Sequence, residues 1–244
     1  MQHTEANRVS NYTEIGGQGN SIDGDLTVIN KRGESSSEGD NSHSYGNRAD
    51  LLQGNTIGGD VRIENSDGES SAEGQNSNSY GNRAAIFDDS ISDNTVIDGD
   101  VMITQDDGES DANGPGSSSA GNFTYIEIGV EIDGDLIIES GDGESSATAV
   151  SDDIFTFIGA MIGGDLSIES VDDGEDRVIL DSASVGGTTE IDTGDDDDLI
   201  TIVDSIFAGE VEVDGGDDDD TFVDGGGNTF GGGLDLDDIE TVLP

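Results

Sequence analysis

The apolar residues of this chain fall in short alternating runs. Val61-Arg62-Ile63, Leu136-Ile137-Ile138 and Val211-Glu212-Val213 each follow a Gly/Asp turn. A second apolar run, such as Val178-Ile179-Leu180 or Leu199-Ile200-Thr201-Ile202-Val203, follows the next turn. A period of two in β-branched residues predicts strands, and no stretch combines good helix formers with apolar spacing at i, i+3 and i+4.

The runs recur with a motif: Ile22-Asp23-Gly24-Asp25-Leu26, Ile57-Gly58-Gly59-Asp60-Val61, Ile97-Asp98-Gly99-Asp100-Val101, Ile132-Asp133-Gly134-Asp135-Leu136 and Ile162-Gly163-Gly164-Asp165-Leu166. Degenerate copies follow at Val185-Gly186-Gly187, Phe207-Ala208-Gly209 and Phe230-Gly231-Gly232. Counted on the second glycine, the steps are 35, 40, 35, 30, 23, 22 and 23 residues. A period in this range marks a solenoid or array, and its settling near 22 gives the bare coil length. Short strands that return to register stack as parallel rungs, with inward Ile, Val, Leu and Phe forming ladders. The expected fold is all-β: a right-handed parallel β-helix, or β-solenoid, of about eight coils, with two or three strands per coil. Residues 1–20 are expected as a cap or linker, 21–170 as long coils, and 171–244 as short acidic coils with a C-terminal cap.

The longer coils carry an insertion at one fixed place. Gly33-Glu34-Ser35-Ser36-Ser37 runs on to Ser44-Tyr45-Gly46-Asn47-Arg48-Ala49, and Gly68-Glu69-Ser70-Ser71-Ala72 runs on to Ser79-Tyr80-Gly81-Asn82-Arg83-Ala84, with a shorter relative at 108–122. Stretches of Ser, Gly and Asn bury little and predict loops on one side of the solenoid. The duplicated Tyr-Gly-Asn-Arg-Ala predicts that Tyr45 and Tyr80 stack on adjacent rungs.

Charge changes the picture. With 7 Lys and Arg against 57 Asp and Glu, the formal net charge is -50. Such a chain repels itself unless cations, salt or an elongated shape relieve it. It also lacks the clustered basic residues that nucleic acid or an anionic membrane requires. There is no cysteine, hence no disulfide or thiolate site. A hydrophobic content of 31% with high charge would suggest disorder, but the regular spacing of the apolar runs argues for order. No run approaches the roughly 18 apolar residues of a membrane span, and Met1-Gln2-His3-Thr4-Glu5 lacks the basic and apolar regions of a signal peptide.

The acidic turns carry the candidate chemistry. Asp176, Asp198 and Asp220 are 22 residues apart, so on 22-residue coils their carboxylates stack at about 4.8 Å. Like charges that close demand a counter-charge. Calcium, with six to eight oxygen ligands from carboxylates and carbonyls, suits that geometry. Gly215-Gly216-Asp217-Asp218-Asp219-Asp220-Thr221-Phe222-Val223 resembles the calcium-binding RTX nonapeptide G-G-x-G-x-D-x-U-x, with Asp218 at the third Gly. The same frame lays Gly194, Asp198 and Ile200 on the second Gly, the Asp and the apolar position, and lays Gly174, Asp176 and Val178 on the third Gly, the Asp and the apolar position. The resemblance implies calcium ligands at Asp176, Gly194, Asp196, Asp198, Gly216, Asp218 and Asp220, with glycines supplying carbonyls. Earlier coils depart from it, reading Gly143-Glu144-Ser145 and Gly108-Glu109-Ser110. The full-length pattern also resembles repeat segments of bacterial surface and secreted proteins.

Among function classes, an enzyme acting on polysaccharide or a carbohydrate-binding module is the alternative, because paired carboxylates can hydrolyse glycosides. With 57 acidic residues, however, pairs arise by chance. His3 and His43 are the only histidines, both outside the regular runs. Thr27, Thr104 and Thr189 recur at no single position, which disfavours an ice-binding face. The expected function is a non-enzymatic extracellular or cell-surface scaffold, calcium-stabilised and adhesive or fibre-forming. Calcium ions, further copies stacked end to end and extracellular polysaccharide are its expected partners.

Overall fold

The computed structural model describes residues 7–16, 20–52, 54–87, 94–141, 143–146, 149–150, 153–171 and 174–244. Three parallel sheets form the three walls of a solenoid. One coil is built from the strands Ser184–Val185, Thr189–Asp192 and Leu199–Val203, and the next from Ile206–Phe207, Glu210–Asp214 and Thr221–Asp224. Each strand pairs in parallel with its counterpart one coil away, as Val185 does with Phe207 and Ile200 with Phe222. The short wall runs from Ser21–Ile22 to Thr229–Phe230, the second from Leu26–Glu38 to Gly233–Asp237, and the third from Asn7–Ile15 to Thr241–Leu243. Among the described residues, coils therefore have three strands, and eight of them show all three. Asn7–Ile15 pairs with His43–Leu52, so residues 7–15 of the expected N-terminal cap or linker are part of the third wall.

The alternating apolar runs become ladders because parallel register places like on like. On the short wall Ile22, Ile57, Ile97, Ile132, Ile162, Val185, Phe207 and Phe230 lie in one column. On the second wall Leu26, Val61, Val101, Leu136, Leu166, Thr189, Val211 and Leu234 do the same. Apolar members away from the ends are at most 3% exposed. Burying each such side chain contributes about 1.5–3 kcal/mol.

The repeated Gly-Asp of the motif is a staple between coils. Asp25 Oδ1 accepts the Asp60 N–H at 3.1 Å, Asp60 that of Asp100 at 3.0 Å, and Asp100 that of Asp135 at 2.9 Å. Asp135 then accepts from Asp165 at 2.8 Å, and Asp165 from Thr188 at 2.7 Å. The glycine makes room for the carboxylate. A Cβ on Gly59, Gly99, Gly134, Gly164 or Gly187 would lie 2.0–2.3 Å from the Oδ1 of the preceding coil's aspartate.

The Ser/Gly insertions are not loops. Leu26–Glu38, Val61–Glu73 and Val101–Asn113 are continuous strands of 13 residues. Their outer halves face the starts of His43–Leu52, Asn78–Phe87 and Ser118–Ile126 across a thin two-layer extension. Small residues allow this approach: a Cβ on Gly68 would lie 2.3 Å from the Gly81 carbonyl oxygen, and Ser70 Oγ meets Ser79 Oγ at 2.6 Å. Low apolar content thus signals a close, polar interface rather than an irregular segment. Tyr45 and Tyr80 stack as expected, with centroids 5.3 Å apart and planes 15° from parallel. Arg48 sits 4.9 Å from the ring centres of both Tyr12 and Tyr45. Asp50, its side chain fully buried, is held by Arg48 and Arg83.

Candidate functional site: the acidic column

Asp176, Asp198 and Asp220 stand in one column at the entry to the third wall, as the spacing predicts, and the column is longer than the three. It begins with Asn11, Asn47, Asn82 and Asn122, passes to Asp153, continues through the three aspartates and ends at Glu240. The amide part is a ladder, with each Nδ2 donating to the next Oδ1 at 2.9 Å from Asn11 to Asn122. The carboxylate part uses the main chain instead. Asn122 N–H donates to Asp153 Oδ1 at 3.0 Å, Asp153 N–H to Asp176 Oδ1 at 3.0 Å, and Asp176 N–H to Asp198 Oδ1 at 2.7 Å. Asp198 N–H donates to Asp220 Oδ1 at 2.8 Å, and Asp220 N–H to Glu240 Oε2 at 2.8 Å. The direction is opposite to that of the staples, whose carboxylates reach toward the following coil.

Burial sets the electrostatics. Asp153, Asp176, Asp198 and Asp220 are 0–2% exposed. Asp220 Oδ2 is buried and accepts no hydrogen bond. Desolvation pushes the Asp220 carboxyl up from 3.8 to about 6; the Asp198 N–H opposes this, while Glu240, Asp197 and Asp218 reinforce it. A carboxylate leaving water without a full set of partners favours its neutral form.

Above the buried aspartates lie the exposed turns at 194–197 and 216–219. Gly194 and Asp196 take φ of 87° and 78°, and Gly216 and Asp218 take 82° and 85°. These are the positions of the second and third glycines in the nonapeptide frame. Asp tolerates the left-handed region better than most residues, which accounts for its presence at the third. Asp192 and Asp214 brace the turns by accepting the N–H of Gly194 at 3.3 Å and Gly216 at 3.1 Å. Asp197 Oδ1 accepts the Asp219 N–H at 3.0 Å, tying one turn to the next. A Cβ on Gly216 would lie 1.7 Å from the Gly194 carbonyl oxygen, so that carbonyl is aimed at the adjacent turn. Desolvation within the turn, and the neighbouring Asp196, Asp197, Asp217 and Asp195, raise the Asp218 carboxyl.

The expected ligands thus divide into two groups: Asp176, Asp198 and Asp220 line the inside of the corner, and Asp196 and Asp218 face solvent with Gly194 and Gly216 between. Among the described residues no group of three or more His, Asp or Glu side chains converges as a ready metal cage. A cation at this corner must therefore draw on main-chain carbonyls as well as carboxylates. The asparagine head of the column, Asp153 and the Glu240 end escape a reading based on acidic turns. The signal for the head was the asparagine within each Tyr-Gly-Asn-Arg-Ala repeat.

No family model, curated protein or solved structure matches the chain.

Proposed function

We propose that this chain is a non-catalytic scaffold of the extracellular or cell-surface space, a β-solenoid whose acidic coils are stabilised by calcium. The observation that carries the reading is the buried carboxylate column beneath two left-handed acidic turns, ending at an Asp220 Oδ2 that accepts no hydrogen bond. The donor set suits a hard cation: Asp198 and Asp220 would contribute carboxylate oxygens, the 194 and 216 turns carbonyls, and Asp196 and Asp218 outer carboxylates. A bound calcium would supply the positive charge that this corner lacks. An extracellular setting suits the reading, because calcium sites of extracellular modules are matched to millimolar calcium. The aspartates of the column are turned into the wall between coils, where a substrate does not reach, which favours a structural role over hydrolysis.

Thermal melting in EDTA, magnesium and millimolar calcium tests this. A ligand that binds only the native state raises stability by about 2.7 kcal/mol at a hundred times its Kd. Calcium is expected to raise the melting temperature where magnesium does not. Asp198→Ala should remove most of the gain and Asp25→Ala little of it. An equal response to both metals, or equal losses in the two variants, would sink the calcium reading.

A further inference from the structure

Acidic residues are kept off one outer face of this chain. On the third wall the outward positions form two columns, one running from Arg48 to Thr221 and one from Asp50 to Val223, each through seven rungs. Although 57 of the 244 residues are Asp or Glu, Asp50 is the one acid in either column, and Arg48 and Arg83 neutralise it. The second wall differs, because each strand from Leu136–Ser140 to Glu210–Asp214 turns a glutamate to solvent. In place of acids the third wall presents Ile154, Ile179, Leu199, Val223 and the rings of Phe123 and Tyr125, all partly exposed. A contiguous apolar patch of this size marks an interaction site rather than a solvated face. Glu127 and Asp181 lie at the exit margin of the face, where an interface is polar and wet.

From this contrast we propose that the outer face of the third wall binds the same face of a second copy, side by side, in a two-fold contact. Two chains of formal charge -50 repel each other, so a second copy comes close where the acids are absent. Charge also sets the orientation. Arg48 and Arg83 lie three and two rungs before Ile154, and Thr221 and Leu199, each entered from an acidic turn, lie three and two rungs after it. A two-fold axis along the strands through Ile154 therefore sets the basic rungs of one copy beside the acidic turns of the other. The same axis sets Phe123 across from Arg177, a guanidinium over a ring, and Tyr125 across from Ile179. Like meets like at Ile154 and Thr156, neither of them charged. Seven rungs of about 4.8 Å and five residues of about 3.3 Å span about 550 Å2 on each copy, or about 1,100 Å2 for the pair. That clears the area of about 1,000 Å2 that a specific contact requires. The pairing needs the third wall alone and stands whether or not calcium binds.

Sedimentation velocity of the full chain at rising protein concentration tests the proposal, in EDTA with molar sodium chloride to screen the repulsion. The expected result is a monomer–dimer equilibrium that stops at the dimer, because a two-fold contact closes on itself. Ile154→Glu sets two carboxylates against each other on the axis and should lower association at least tenfold with the melting temperature of the monomer unchanged. Ile137→Glu, at an isoleucine that is partly exposed on the second wall, should leave association as it is. The chain has no cysteine, so Ile154→Cys gives a second reading that disrupts nothing: a short bismaleimide should join two copies of that variant and should not join two copies of Ile137→Cys. The cross-link decides the matter where the glutamate unfolds the chain. Monomers at every concentration would overturn the proposal, as would open-ended assemblies, dimers indifferent to Ile154→Glu, or equal cross-linking at the two positions. A dimer in EDTA from a chain whose melting ignores calcium would uphold the pairing and reject the calcium reading, so the two failures are distinguishable.

Discussion

Asp220→Asn separates a structural carboxylate from a metal-binding one. Asparagine keeps the Oδ1 that accepts the Asp198 N–H and supplies an Nδ2 beside the Glu240 carboxylate, repeating the arrangement of Asn47 over Asn82. What it removes is a buried charge. Folding raises the Asp220 carboxyl from 3.8 to about 6; at about 1.36 kcal/mol per unit, the ionised form costs the native state about 3 kcal/mol at pH 7.5. The sign follows from proton binding. Between pH 4 and 6 the native state binds more protons than the unfolded chain, so stability falls as pH rises through that window. In EDTA at pH 7.5 the variant should therefore be the more stable protein, by about 3 kcal/mol or roughly 6–12 °C for a chain of this size. The advantage should be largely gone by pH 4. In calcium the order should narrow or reverse, because the unsubstituted protein gains a ligand-bound state that the variant has lost. Circular dichroism melts of the two proteins, with and without calcium at both pH values, measure all four differences. A variant less stable than its parent in EDTA at pH 7.5 would refute the electrostatic reasoning. An equal calcium gain in both would refute the role of Asp220 as a ligand.

Two further predictions test the architecture. Gly68→Ala forces a methyl to within 2.3 Å of the Gly81 carbonyl oxygen, whereas Gly24→Ala meets nothing within 4 Å; urea titration should show a loss of about 1–3 kcal/mol for the first, the usual cost of overpacking, and well under 1 kcal/mol for the second. Arg83→Ala leaves the fully buried Asp50 carboxylate with Arg48 alone, and the same titration should show a loss of about 3 kcal/mol.

Much of the molecule was legible in order of residues. Alternation gave strands, the motif spacing gave parallel coils, and a coil of 22 residues put Asp176, Asp198 and Asp220 in one column, because a constant period and a constant register amount to the same constraint. The repeated tyrosines predicted a stack that is there. Only the tertiary structure decided what the polar residues do. Whether Gly33-Glu34-Ser35 is loop or strand depends on whether a second layer comes near enough to satisfy it, and Gly46, far along the chain, provides that layer. The glycine before each motif aspartate looked like a turn former; its reason is a carboxylate arriving from the coil before. The Asn-to-Asp column was invisible for a related cause: its members occupy different local motifs, and they become one feature when the walls wind past each other. Local pattern fixes which residues turn inward, but the partner of each polar residue along this column comes from a neighbouring coil, twenty or more residues away.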